Sequence, residues 1–366
     1  MPDIVFDTPQ APTDLLPRLL ALPRGASVLL LGGPDSGKTT WTRDAALALT
    51  GAGRTVAVVD CDLGQSEIGP PGTVGAGWAA PGTDFRSLRD LDFLAAYFVG
   101  AVSPMRHLLD VCVGAVQMAR IAKKRRPDLV LIDTDGLVGG AAARVVKRRL
   151  AELLLPQVVV ALARDAELNP LLTAFSGLDA PEVWRVPVHP ATGRKTPAAR
   201  ATRRSARFLS ALADAQPLTF SLDSVALQGT WLGTGEALPH HLALFLSQSL
   251  GRPALHAEQT PGGGLYVVLN GDGWNEAGLA AVERHFGARS VTVTAAQKFA
   301  RLLVGLVSSG GALLGLGLIE RIDFSRRTLT VLTPCRKPAA VAQIWLGGLR
   351  LRPDGREIGE VRPGEV

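Results

Sequence analysis

The chain has two textures. In the first, unbroken apolar runs alternate with segments of helical spacing. "ASVLLLGG" (26–33) ends in glycines and predicts a buried strand feeding a loop. "KTTWTRDAALALTGAG" (38–53) predicts a helix closed by Gly51 and Gly53. "RTVAVVDCD" (54–62) and "PDLVLIDTDG" (127–136) predict two more buried strands, separated by the long amphipathic helix "HLLDVCVGAVQMARIAKKRR" (107–126). "AARVVKRRLAELLL" (142–155) is helical, and "QVVVALAR" (157–164) and "EVWRVPVHP" (182–190) are strands. Strands alternating with helices predict an α/β core: a parallel sheet with helices on both faces. Near Leu218 the texture changes to short strands with Gly turns: "TFSLDSVALQGTWLGTG", "GLYVVLNGDG", "SVTVTAA", "LTVLTP" and "VAQIWLGGLRLR". A smaller, mostly-β C-terminal domain is expected. The predicted organisation is a Pro-rich lead-in over 1–24, an α/β domain over 25–215 and the β-rich domain over 216–366.

Composition adjusts this picture little. Of the 366 residues, 47% are apolar and 20% charged, which suits a chain with a sizeable core. The net charge is +6, and only seven of the 39 basic residues are lysines. A GC-rich genome and an anionic partner both account for an arginine excess, so the placement of the arginines has to decide. Cys61, Cys112 and Cys335 lie too far apart for a disulfide framework or a metal-ligand pair. The longest uncharged apolar stretch, "LLVGLVSSGGALLGLGLI" (302–319), is broken by "SSGG" and predicts two buried strands with a turn rather than a membrane span. With no signal pattern at the N-terminus, a cytoplasmic protein without a membrane partner is expected.

Gly32, Gly37, Lys38 and Thr39 satisfy G-x-x-x-x-G-K-[ST] between an apolar strand and a helix, the context a phosphate-binding P-loop requires. The core is therefore expected to be of the P-loop NTPase type. Backbone N–H groups of Gly33, Pro34, Asp35, Ser36, Gly37, Lys38, Thr39 and Thr40 are the expected cradle for ATP, proline excepted as a donor. Lys38 would reach the β- and γ-oxygens, and the Thr39 hydroxyl would sit on Mg²⁺. Transfer of a phosphoryl group also needs a carboxylate near the γ-phosphate. Two strand ends offer one: Asp60 and Asp62, and Asp133 and Asp135. In an open parallel sheet the carboxyl ends of strands face the ligand crevice.

These residues carry a resemblance. "DCDLGQSEIGPPGTVG" (60–75) resembles the D-x-D-x-G-Q…P-G-T stretch of the polynucleotide 5′-hydroxyl kinases, the Clp-type RNA kinases and their archaeal and bacterial relatives. "YFVGAVSP" (97–104) is similar to their F-x-G-x-x-S-P segment, and "DTDGLVGG" (133–140) to their T-x-G-W clasp. The likeness runs over about residues 25–215. It implies transfer of the ATP γ-phosphate to a 5′-hydroxyl end of RNA or DNA. By position it makes Asp62 the base that deprotonates the hydroxyl. It places Asp60 and Gln65 at the metal and the substrate end, Ser103 beside that end, and Thr134, Gly136 and Leu137 in the clasp. The clasp tryptophan is Leu137 here, which offers apolar contact in place of stacking; Trp78 and Tyr97 are the candidates to substitute.

"HPATGRKTPAARATRRSARF" (189–208) brings independent support. Thr196-Pro197 is a helix start. Arg200, Arg203, Arg204 and Arg207 then fall at i, i+3, i+4 and i+7, on one helical face. That spacing ordinarily carries the apolar stripe. Four guanidiniums there read either as a solvated basic helix or as a lid, over about 194–208, that closes on triphosphate and nucleic acid. The resemblance implies the lid, with these arginines as catalytic candidates. "KKRR" (123–126) and "KRR" (147–149) read mainly as solvated helix faces, with contact to a nucleic-acid backbone as the second reading, and His107 reads as a structural hydrogen-bonder ahead of a neighbour of the 5′-end site.

A P-loop ATPase or GTPase switch or maturation factor, and a nucleoside or metabolite kinase, are the alternatives. No lysine is followed by x-D, so guanine recognition through N/T-K-x-D is absent. A C-terminal domain and a basic balance favour a polymer acceptor.

Overall fold

The computed structural model describes residues 13–175, 179–190, 192–239 and 241–366. The chain divides into two compact units between Arg207 and Phe208. In the first unit, chain order is α1 (Leu16–Leu20), β1 (Ala26–Gly32), α2 (Lys38–Gly51), β2 (Val56–Asp60), β3 (Thr73–Ala79), β4 (Asp92–Phe98), α3 (Leu108–Lys124), β5 (Leu129–Asp133), α4 (Gly140–Leu154), β6 (Val158–Ala163), α5 (Asn169–Leu172) and β7 (Glu182–Pro187). Helix α6 (Pro197–Ala211) follows and contains the division.

The seven strands form one sheet in the order β4-β3-β2-β5-β1-β6-β7. β2, β5, β1, β6 and β7 run parallel, as the apolar runs predict. The pattern does not predict β3 and β4, which extend the sheet as antiparallel strands. Alternation along β1 sends Leu29 and Leu31 to the face covered by α3 and α4, and Val28 and Leu30 to the face covered by α2. α2 meets its face with Trp41, Ala45 and Leu49; α3 and α4 meet theirs with Val111, Ala115, Met118, Val146 and Leu150. These two apolar layers hold the carboxyl ends of β1, β2 and β5 side by side, with Asp60 opposite Asp133 in the β2–β5 register.

The second unit contains β8 (Gln216–Ser221), β9 (Ala226–Gln228), β10 (Glu236–Ala237), α7 (Leu242–Leu250), β11 (Ala254–Gln259), β12 (Leu265–Leu269), α8 (Leu279–Phe286), β13 (Val291–Ala295), β14 (Leu302–Ser308), β15 (Leu313–Asp323), β16 (Thr328–Thr333), β17 (Val341–Leu351) and β18 (Glu357–Glu360). Four strands pair in the order β10-β11-β12-β13, with α7 and α8 packed on them. The others form a sheet ordered β18-β17-β14-β15-β16-β8, with β9 beside β17. The stretch broken by "SSGG" is the antiparallel pair β14–β15. Among the described residues no helix is long and apolar enough to cross a membrane.

Candidate active site

Beyond β1 the chain turns sharply. A Cβ on Gly32 would lie 2.4 Å from the Ser36 hydroxyl and 2.8 Å from the Leu162 carbonyl, so the curl needs glycine there. Gly37 caps α2 with φ 88°, a left-handed conformation. Lys38 is buried at the start of α2, and its Nζ donates to the carbonyls of Gly32 (2.8 Å) and Gly33 (3.0 Å). Burial pulls its pKa down, against the raising effect of Asp133 and Asp62. Residues Pro34 to Thr40 line a cavity of about 900 Å³. Gly33 does not line it and packs toward Glu167.

Asp62, Asp133 and Asp135 act on Lys38, and together with Asp60 they do different things. Asp62 lines the cavity. Its Oδ1 accepts from the N–H groups of Gly64 (3.0 Å) and Gln65 (2.9 Å), so Oδ2 is not engaged by these bonds. Burial raises its pKa, and the Gln65 N–H and Lys38 work in the opposite direction. Asp133 is fully buried and accepts from the Thr39 hydroxyl at 2.6 Å through Oδ2. Its Oδ1 is buried without a hydrogen-bond partner. Burial raises the Asp133 pKa to about 6, while Lys38 and Thr39 restrain the rise.

Asp60 departs from its expected place at the metal and the substrate end. Its carboxylate is turned beneath the loop: Oδ1 accepts from the Asp62 N–H (3.0 Å), and Oδ2 from the N–H groups of Glu67 (2.6 Å) and Ile68 (3.1 Å). It does not line the cavity, and burial with Asp133 and Asp62 nearby pushes its pKa up to about 8. Asp60 thus shapes the loop that carries Asp62. Gln65 does line the cavity; its Nε2 donates to the carbonyls of Gly64 (2.9 Å) and Arg200 (3.3 Å), and its Oε1 is buried without a partner.

The clasp also differs in part. Thr134 is fully buried and does not reach the cavity, because its hydroxyl donates to the Leu30 carbonyl at 2.7 Å. Gly136 and Leu137 do line it. Asp135 fixes this loop by accepting from the Leu137 N–H (2.6 Å) and from Lys147 Nζ (2.9 Å). Lys147 is only 1% exposed, contrary to the solvated face expected of "KRR"; Arg148 and Arg149 are exposed. Lys147 sits at i+4 from buried Ala143 and three before buried Leu150, so helical spacing was the signal that could have found it. Ser103 lines the cavity and accepts from the Met105 N–H, whereas His107 stands outside, paired with Asp110 at 3.3 Å. Trp78 and Tyr97 pack against the core under α3, and among the described residues no aromatic side chain lines the cavity.

Helix α6 begins as the Thr-Pro pair predicts, with the Thr196 hydroxyl accepting from the Ala199 N–H at 3.1 Å. Its arginine stripe faces inward. Arg200, Arg203 and Arg204 line the cavity. Arg200 bonds Asp35 of the P-loop, whose carboxylate also accepts from the Lys195 N–H at 2.9 Å. Burial opposes ionisation of Asp35, but Arg200 and Lys195 hold its pKa below the usual value. Arg203 bonds Glu67. Arg207 falls outside the cavity, because its Nη2 donates to the Gly69 carbonyl at 2.7 Å. Arg43, Glu67 and Arg89 also line the cavity, though sequence reading assigns none of them a role; Glu67 lies within the 60–75 stretch, at a position its motif leaves open.

One cavity thus combines a phosphate loop, a carboxylate opposite its lysine, and a basic helix. The family profile described as "mRNA cleavage and polyadenylation factor CLP1 P-loop" matches residues 32–211. The chain is 31% identical to the polyribonucleotide 5′-hydroxyl-kinase of Pyrococcus furiosus, covering 97% of this chain and 96% of that one. It is 32% identical to the protein of the same name from Thermococcus kodakarensis, over 98% of each. The fold resembles Clp1p in the solved wild-type Clp1p–Pcf11p complex, with TM-score 0.58 at 12% identity, over 92% of this chain and 77% of that one.

Proposed function

Since the chain belongs to the CLP1 P-loop family, we infer that it is an ATP-dependent polynucleotide 5′-hydroxyl kinase, transferring the γ-phosphate of ATP to the 5′-hydroxyl end of RNA. The observation that carries this is the placement of Asp62 in the same cavity as Lys38 and Thr39, under Arg200, Arg203 and Arg204. The loop N–H groups and Lys38 bind the β- and γ-phosphates, aided by the positive end of α2. Asp62 accepts the proton of the 5′-hydroxyl as that oxygen bonds to the γ-phosphorus. The bond to the β-bridging oxygen breaks and ADP leaves. Charge on the transferring group is met by Lys38 and the lid arginines.

Thr39 and Asp133 fit Mg²⁺: a hydroxyl and a carboxylate already in contact, with one carboxylate oxygen orphaned. Mg²⁺ there supplies charge neutralisation on the phosphate oxygens. Asp133 takes the role expected of Asp60, which the loop N–H groups occupy.

The test is incubation with γ-labelled ATP, Mg²⁺ and a 5′-hydroxyl RNA oligonucleotide, with Lys38→Ala as control. Label on the 5′ end, lost in the variant, is expected. ATP hydrolysis with no labelled end would replace the kinase by a partner-binding ATPase.

A further inference from the structure

The same cavity includes a cationic corner in which two residues, Glu67 and Arg89, have no assigned part in phosphate transfer and meet the lid at Arg203. Glu67 is 8% exposed and binds two guanidiniums at once. Arg89 Nε lies 2.7 Å from Oε2, and Arg203 bonds Oε1. Arg207 stands in the same electrostatic neighbourhood, with Nη1 buried and without a partner. Two guanidiniums therefore share one buried carboxylate, with a third, that of Arg207, held nearby on the Gly69 carbonyl. The other acid beside Arg89, Asp90, is turned back on the N–H groups of Arg86 and Ser87, both at 2.9 Å. Arg89 and Arg203 keep further N–H donors, since each has five and Glu67 takes few of them. Both line the cavity.

The position of this corner narrows its ligand. Arg89 comes from the β3–β4 connection, not from the P-loop or the lid. Glu67 lies five residues beyond Asp62, on a loop that Asp60 folds tightly by accepting from Asp62, Glu67 and Ile68. One tight loop thus carries both the proposed base and the carboxylate of this corner, which argues for an acceptor ligand rather than the phosphate donor. In a polynucleotide the first internucleotide phosphate lies one sugar in from the acceptor hydroxyl. Guanidiniums bind phosphate through paired N–H donors, and the fixed Glu67 carboxylate lowers the entropy lost in orienting them.

The geometry points to Arg89 and Arg203, oriented by Glu67, as the subsite for the first internucleotide phosphate of the acceptor strand. This rests on the kinase reading and names how the site tells a polynucleotide from a nucleoside. Arg89 is a binding residue and Glu67 a positioning residue.

The test uses Arg89→Ala and Arg89→Lys in the full chain. Affinity for a fluorescent 5′-hydroxyl oligonucleotide is measured by anisotropy across a salt series, and transfer kinetics are measured in parallel. Arg89→Ala should weaken oligonucleotide affinity and raise the acceptor KM by about tenfold to a hundredfold. It should lower the salt slope by about 0.7, the value of one phosphate contact on a single strand. The ATP KM should hold, and Arg89→Lys should recover part of the loss. Unchanged acceptor affinity and slope would overturn the subsite, as would a rise in the ATP KM alone, which would put Arg89 on the donor. Binding is read separately from transfer. A wild-type chain that binds the oligonucleotide but labels no end would therefore sink the kinase reading, while the anisotropy series still decides the subsite.

Discussion

Asp62 and Asp60 are two residues apart and perform different tasks because their hydrogen-bond partners differ. Asp62 gives one oxygen to the loop and opens to the cavity; Asp60 gives both to the loop. Asp62→Asn should therefore reduce kcat by about 10² to 10⁴, with ATP affinity retained, as measured by single-turnover transfer and by nucleotide binding. Burial raises the Asp62 pKa, and a carboxylate proposed as the base must be ionised to act. The acid limb of the pH–rate profile should accordingly fall at a pH above the ordinary carboxylate range, and activity should rise as pH increases through it. Asp60→Ala leaves three N–H groups without their acceptor. A stability loss of about 1–3 kcal/mol in denaturant unfolding is expected, with a fall in kcat, because the loop that holds Asp62 loosens. The motif "DCDLGQ" made both acids visible in the sequence, but not which way each carboxylate turns, since that depends on the N–H groups of Glu67 and Ile68.

At the scale of elements, legibility follows hydrophobic contrast. β1, β2, β5 and β6 are continuous apolar runs and stand out. β3 reads "TVGAGWA" and does not, because its glycines answer a tertiary demand: a Cβ on Gly75 would lie 2.0 Å from the Ile68 carbonyl. The loop after Asp62 lies so close over this strand that side chains are excluded, and with them the strand signal. α4 shows the converse. Its basic run suggests a wet face, yet Lys147 turns inward to Asp135. Lys147→Met would leave Asp135 buried and unpaired, at a cost of about 3–5 kcal/mol, seen as a lowered denaturation midpoint. The clasp it braces should also lose acceptor affinity. The arginine stripe of α6 was legible from spacing alone. Its carboxylate partners Asp35 and Glu67 were not, because they come from loops far away in sequence.

Across the whole molecule, the charge of +6 gains meaning from where the arginines of the first unit point. Arg43, Arg89, Arg200, Arg203 and Arg204 all line the one cavity. Binding of a polynucleotide should therefore weaken steeply with salt, log K falling by about 0.7 per contacted phosphate for each tenfold rise in salt on a single strand; an affinity indifferent to salt would separate the basic cavity from the acceptor. A last consequence comes from Gly136. A Cβ there would stand 2.8 Å from the Pro34 Cα, so the loop after β5 lies directly against the phosphate loop. On the proposed kinase reading the two substrates share a party wall. An engineer who remodels one chamber moves the partition of the other, and variants selected for a new phosphate donor will carry altered tolerance for the acceptor without any change in the residues that touch it.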